Sequence, residues 1–411
     1  METVLSEEVK QALRDIYYNV RTGRGKKAFA LLEKASEAGD GDASCILARC
    51  LCGHQYVWIG HGFPEDDERA TQLIHKSVEQ GSALGVLLAL RSGELRPALQ
   101  RKMPFASLQE AFDEVLELAG QGDAFCQYTV GNVYFWWDFL RIQEKNQNSF
   151  SSRAEYKTYL KENISKCEDW FRKAFRGGMY LAANNLNRYY TKGDSDIIAP
   201  RPEKARDLWK TGAEYGYPIH QAIYADELEK AGQNADALYW YKQAADGGHP
   251  GAASDAGRYY YEGIGVEKDE AYAVKCFEKD IPFGVVRAHE MLGRAYFQGR
   301  GVARDYAKAY YYLYYGYNHG SKWGVFFLAK CFFYGYGTKQ DYELARKLLD
   351  EVYWENREAD YLRGMIYANG LGVEQDIPKG MAYLQKAGSY EAAKEELSHY
   401  KKTLFGKWIR R

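Results

Sequence analysis

The sequence predicts an all-α chain assembled from stacked helix–turn–helix units, and three observations carry this. The first is a motif written four times. Gly263-Ile264-Gly265-Val266, Gly299-Arg300-Gly301-Val302, Gly335-Tyr336-Gly337-Thr338 and Gly370-Leu371-Gly372-Val373 are followed by Asp269, Asp305, Asp341 and Asp376. The aspartates step by 36, 36 and 35 residues (305−269, 341−305, 376−341), a fixed period that marks a repeat array. The second is a small residue at Gly257, Gly293, Ala329 and Gly364, with an aromatic three places on at Tyr260, Tyr296, Phe332 and Tyr367. That spacing suits one face of a helix, and the small residue lets a second helix approach. The third is another small residue four places after each aspartate (Ala273, Ala309, Ala345, Gly380), followed by Phe277, Leu313, Leu349 and Leu384.

Each unit then reads as helix A, a glycine loop and helix B. Glycine adopts left-handed backbone angles cheaply and ends helix A. The aspartate carboxylate accepts from the orphan N–H groups that open helix B.

These residues resemble the Sel-one-like repeat family, relatives of the tetratricopeptide repeats. The family pattern is matched closely by Ala288, Leu292, Gly293, Tyr296, Gly299, Gly301, Val302, Asp305, Lys308, Ala309 and Tyr312. The match is strong over 252–388 and traceable, though degraded, over most of the rest. The resemblance implies a right-handed α/α superhelix, or solenoid, of about ten such repeats that binds other proteins. It names no partner.

The chain is expected to be a single continuous solenoid over 1–411. Residues 1–41 form an atypical N-terminal capping repeat, with helices at Ser6–Val20 and Lys26–Ala38. Degenerate repeats occupy 42–251. The second repeat begins near Asp42-Ala43 and keeps a double glycine at Gly60 and Gly62. The third begins at Ala83 and has a longer loop through Pro97 and Pro104, after which Ser107 and Glu110 form a capping box. The fourth has helix A from Ala124 to about Trp137 and an insertion at about 139–165. A polar loop over Gln143–Ser152 leads, through a capping box at Ser152 and Glu155, into a long helix from Arg153 to about Phe175. Long inserts in repeat proteins sit on one face and often carry function; the plain alternative is a tolerated surface excursion. The fifth begins at Ala182. The sixth, near Ala222, replaces the double-glycine loop with Gly232-Gln233-Asn234. Well-formed repeats fill 252–388. Residues 389–411 read as a capping helix over Tyr390–Lys401 and a basic tail.

Composition excludes several classes. Formal net charge is −1, so nothing argues for nucleic acid. Mean hydropathy is negative and no apolar run approaches the ~18 residues of a membrane span. The N-terminus lacks a signal-peptide core and seven cysteines are scattered irregularly, so a reducing, cytoplasmic location is expected. The tail (Lys401, Lys402, Lys407, Trp408, Arg410, Arg411) suits an anionic surface, although a frayed helical cap is the plainer reading.

No catalytic signature stands out, and no enzyme activity, cofactor or metal is expected. Gly23-Arg24-Gly25 superficially resembles a dinucleotide fingerprint but lacks the preceding strand. Cys50, Cys52, His54 and His61 invite a zinc reading, yet i, i+2 and i+4 on one helix do not converge tetrahedrally.

The informative surface is the groove. In the related tetratricopeptide arrays helix A lines the concave face, and the residue after the small packing position points into it. Here those residues are Arg49, Arg188, Arg258, Arg294 and Lys330, broken by Asn132 and Met365. Neighbouring aromatics are Phe135, Trp136, Tyr261, Phe297, Phe326, Phe333 and Tyr334. Such a trough suits an extended or helical protein or peptide partner carrying acidic groups. The plain alternative pairs these cations with groove glutamates such as Glu262 and Glu290 and makes the aromatics ordinary inter-repeat packing. The expected function is thus a non-catalytic interaction scaffold or adaptor. The alternative is a ligand-binding or hydrolytic protein with its site in the groove or the insertion.

Overall fold

The computed structural model describes residues 4–18, 24–53, 57, 61–194, 196–205, 207–352, 354–403 and 407–411. It contains two compact units, Met1–His249 (unit 1) and Pro250–Arg411 (unit 2).

Unit 1 opens with α1 (Glu7–Leu13), capped by the Ser6 hydroxyl and continued by a π turn over Arg14–Tyr18, beside α2 (Arg24–Glu37). Residues 19 and 20, expected to end the first helix, lie outside the described residues. Five further pairs follow: α3 (Gly41–Leu51) with α4 (Asp67–Glu79); α5 (Ala83–Ser92), the single turn α6 (Pro97–Gln100) and α7 (Leu108–Gly120); α8 (Ala124–Phe135), the short α9 (Asp138–Ile142) and α10 (Arg153–Arg176); α11 (Leu181–Lys192) with α12 (Leu208–Glu214); α13 (Pro218–Lys230) with α14 (Asn234–Asp246). Unit 2 pairs α15 (Ala252–Glu262) with α16 (Glu270–Asp280), α17 (Val286–Gln298) with α18 (Tyr306–Asn318), α19 (Val325–Tyr334) with α20 (Tyr342–Asp350), and α21 (Arg357–Asn369) with α22 (Ile377–Ala387). Among the described residues that makes six helix pairs in unit 1 and four in unit 2, the ten expected.

The repeat chemistry works as the spacing predicts. The carboxylates of Asp269, Asp305, Asp341 and Asp376 accept from the backbone N–H three residues on. A Cβ at Gly293 would stand 2.7 Å from Leu313, and one at Gly364 2.7 Å from Leu384, so these positions set how closely helix A meets helix B. The second glycine of three of these loops, Gly301, Gly337 and Gly372, has a further role that spacing did not predict. A Cβ at Gly337 would lie 2.0 Å from the Tyr306 carbonyl oxygen, at the start of the preceding repeat's helix B. The loop of one repeat thus rests on the repeat before it.

Three expectations need correction. The insertion is an excursion only in part: residues 144–155 lie exposed apart from half-buried Phe150, but Leu160, Asn163 and Ile164 are buried, and α10 packs along α8, where a Cβ at Gly131 would meet the Phe171 ring at 2.5 Å. That helix is the repeat's own helix B, lengthened at its N-terminus. The two capping boxes reach one residue further back than expected. The Glu110 and Glu155 carboxylates accept from the N–H of Ala106 (2.5 Å) and Ser151 (2.9 Å), not from the capping serines. The last helix, α23 (Glu391–Ser398), stops short, and β1 (Tyr400–Lys402) pairs antiparallel with β2 (Trp408–Arg410). Buried Tyr400 and half-buried Trp408 cluster with Met381 and Leu384, so apolar side chains fold the tail back where its charge suggested fraying. No helix is long and apolar enough to cross a membrane among the described residues.

Candidate functional site

In unit 2 the basic ladder is tied down. The Arg294 guanidinium lies 3.7 Å from the Glu262 carboxylate, and the Lys330 ammonium 2.6 Å from Glu358 of the next repeat. Lys330 also sits over the Phe297 and Phe326 rings (5.2 and 5.5 Å) and Arg294 over Phe327 (5.8 Å); the Arg258 guanidinium lies 5.1 Å from its neighbour Tyr259. Phe297, Phe326 and Phe333 are 7% exposed and Tyr261 is fully buried, so these rings are inter-repeat packing. Tyr334 is exposed and stacks on Tyr336 (centroids 5.1 Å apart). Glu290 is not a groove carboxylate. It is buried and accepts from the Ser321 hydroxyl (2.5 Å) and the Gly324 N–H (3.0 Å), which anchors the start of α19.

Unit 1 uses its first helices differently. α3, α5, α8 and α11 wall a cavity of about 350 Å3, lined by Arg49, Arg91, Tyr128, Asn132, Trp136 and Asn185 among others. Arg49 is buried, 5.2 Å from the Phe125 centroid and 5.8 Å from that of Tyr128. Arg91 donates to the Asn132 carbonyl oxygen (2.7 Å) and from Nε to the Asp138 carboxylate (2.8 Å), with a second bond to that carboxylate from its Nη2. Burial pulls the Arg91 guanidinium down and pushes the Asp138 carboxyl up, each against the pull of its partner. Desolvation thus opposes their attraction, and a pair of this kind contributes position more than stability. The Asn185 amide donates to Asn132 Oδ1 (2.8 Å) across the cavity.

Trp136 is 42% exposed and flanked by cations: the Arg91 guanidinium is 5.5 Å from its centroid and that of Arg188 4.8 Å. Beyond it lies a second cavity of about 420 Å3, lined by Trp136, Trp137, Arg188, Lys192 and Asp194 among others. Trp137 is left-handed (φ 68°), where the well-formed repeats place glycine. Strain of that kind on a bulky residue costs roughly 1–3 kcal/mol and is held by surrounding contacts. Here its indole donates to the Asp194 carboxylate at 2.7 Å.

Sequence reasoning missed Arg91, Asp138 and Asn185. A signal for Arg91 existed. It stands two residues before Gly93, the left-handed glycine that ends α5. The well-formed repeats bury Tyr261, Phe297 and Phe333 at that position, two before Gly263, Gly299 and Gly335. An arginine in a buried aromatic's place marks a repeat diverted from packing. Of the cysteine–histidine group, Cys50 is buried and Cys52 half-buried, both are free thiols, and the His61 Nε2 lies 2.8 Å from the Ile16 carbonyl oxygen. His54 and Gly60 lie outside the described residues.

Residues 25–40, 47–82, 158–179, 231–249, 250–279, 286–321, 324–351 and 357–389, more than half of the chain, match the Sel1 repeat. The chain belongs to the Sel1 repeat family. Among solved structures it is similar to c5321, a protective antigen present in uropathogenic Escherichia coli strains displaying an SLR fold. That likeness has 21% identity, 95% of this chain and 78% of the other covered, and a TM-score of 0.49. It is also similar to a Sel1 repeat protein from Oxalobacter formigenes (21% identity, 80% of this chain and 90% of the other, TM-score 0.44). The matched Sel1 repeats include all of α15–α22 except Asp280, the last residue of α16. Of the residues lining the first cavity, Arg49 alone falls in a matched segment. The cavity is built where the Sel1 pattern is lost.

Proposed function

We propose that this Sel1 repeat chain is a non-catalytic scaffold or adaptor that holds a protein or peptide partner against the face formed by the first helices of unit 1. The carrying observation is Trp136. It is a large, exposed aromatic between two guanidinium groups at the mouth of two cavities, the kind of anchor that dominates interfaces. Three groups shifted by burial, Asp42, Asp280 and His220, lie apart from one another, and the thiols and phenols that do gather around Arg49 (Tyr17, Cys45, Cys50, Tyr180) are each driven by burial towards the neutral form, which supports a scaffold over an enzyme. Burial pushes Asp42 up to about 6, where Ser82 donates to it; burial raises Asp280, where Ser254 donates to it; His220 is driven down to about 3 inside a separate aromatic cluster. Catalytic sites gather such groups. All seven cysteines are free thiols, which supports a reducing, cytoplasmic setting.

Affinity capture from the source cell's lysate tests this, with the wild type beside Trp136→Ala. A specific protein retained by the wild type and lost by the variant is expected. Capture of no protein by the wild type would overturn the scaffold reading.

A further inference from the structure

We propose that the two cavities flanking Trp136 form one receptor for an extended acidic peptide segment. One side-chain carboxylate enters the Arg49–Arg91 cavity, a second meets Arg188 and Lys192, and the peptide backbone crosses the Trp136 ring. This inference rests on the scaffold reading and gives its partner a chemistry.

Charge complementarity decides the occupant. The first cavity is lined by two guanidinium groups and one carboxylate, and that carboxylate, Asp138, is held by Arg91. The second is lined by Arg188 and Lys192 against one carboxylate, Asp194, which accepts from the Trp137 indole. Each cavity thus carries an excess of one positive charge in a chain whose overall charge is −1. Guanidinium groups at cavity walls match carboxylates in shape and charge, and partial desolvation strengthens such bonds. The spacing element is also present: two separate cationic cavities share one wall, Trp136, whose exposed ring offers a platform to a chain passing between them. Asn132 and Asn185 line the first cavity and bring amide groups able to bond a peptide backbone. The net charge of the chain disfavours a nucleic acid, which would need a broad basic surface.

Unit 2 shows why the first helices of unit 1 are the place for it. There the equivalent cations Arg294 and Lys330 already face Glu262 and Glu358, and of the aromatic positions Tyr261, Phe297, Phe326 and Phe333 are buried while Tyr334 stays exposed.

The test is isothermal titration calorimetry on the full chain with an octapeptide of alternating glutamate and alanine. It is acetylated and amidated, so its carboxylates are all side chains. The lysine–alanine peptide and a 15-nucleotide oligo-dT serve as comparators. Variants are Arg188→Glu and Trp136→Ala, both at exposed positions, and Lys339→Glu, the same charge change at an exposed site of unit 2. The glutamate peptide is expected to bind the wild type, more weakly as salt is raised, with affinity reduced at least about tenfold by Arg188→Glu and by Trp136→Ala and unchanged by Lys339→Glu. The inference is overturned if the glutamate peptide gives no binding, if the lysine peptide binds as well, if Lys339→Glu weakens binding as much as Arg188→Glu, or if oligo-dT binds more tightly. Lysate capture that survives without glutamate-peptide binding overturns this inference and leaves the scaffold reading standing. Failure of wild-type capture overturns the scaffold reading itself.

Discussion

Units 1 and 2 share a repeat chemistry and use it to different ends. In unit 2 each loop glycine, capping aspartate and packing aromatic is spent on stacking, and Arg294 and Lys330 are matched by Glu262 and Glu358. In unit 1 the pattern breaks at identifiable places. Arg91 stands where an aromatic is buried elsewhere, Trp137 holds a glycine's backbone angle, and α10 is extended at its N-terminus. The first two line the cavities. A repeat that follows its consensus satisfies its neighbours and has little left to offer a ligand. A repeat that departs from it must be held together by other contacts and frees its inner face.

Acid titration should separate the units most. His220 is fully buried in unit 1 among Phe175, Tyr180, Trp209 and Tyr217, with ring centroids 5.3–6.4 Å away. Burial drives it from an ordinary 6.5 to about 3. The folded state therefore holds it neutral while the unfolded chain takes up a proton. Its contribution is full above pH ~6.5 and is lost as pH falls towards 3, by up to about 5 kcal/mol. Asp42, raised to about 6, works in the opposite direction between about pH 6 and 4. The comparison is therefore urea unfolding of the wild type against His220→Phe across this range. Parallel pH profiles for the two proteins would refute a neutral buried imidazole.

The loops provide a second contrast. Gly337→Val places a Cβ against the Tyr306 carbonyl at a positive φ and should cost roughly 3 kcal/mol. In unit 1, Gly232 also has a positive φ but nothing within 4 Å of a Cβ, so Gly232→Ala should cost about 1 kcal/mol. Equal losses in thermal unfolding would mean that the loop of one repeat does not brace the repeat before it.

The ion pairs provide the smallest difference. Asp138→Asn strands the half-buried Arg91 and should cost roughly 2 kcal/mol. Glu358→Gln removes a carboxylate more exposed than Asp138 (26% against 13%) and should cost less, under about 1 kcal/mol. Denaturant midpoints decide it, and the reverse order would remove the distinction between a positioned cavity wall and a stacking contact.

The sequence by itself determined the fold class, the ten helix pairs, the capping aspartates and the glycine loops, because each rests on contacts within one repeat or on backbone angles that only certain residues adopt. It also put Arg49, Arg188, Arg258, Arg294 and Lys330 in one register. Only the tertiary structure decided which of those cations face acids of a neighbouring repeat, since Lys330 and Glu358 are separated by 28 residues (358−330) and nothing local links them. Tertiary packing also decided that Leu160 and Ile164 of the insertion join the core, that β1 and β2 of the basic tail pair, and that Arg91, Trp136 and Arg188 meet. Those outcomes depend on which side chains from distant repeats compete for the same space, and a period along the chain carries no record of that competition.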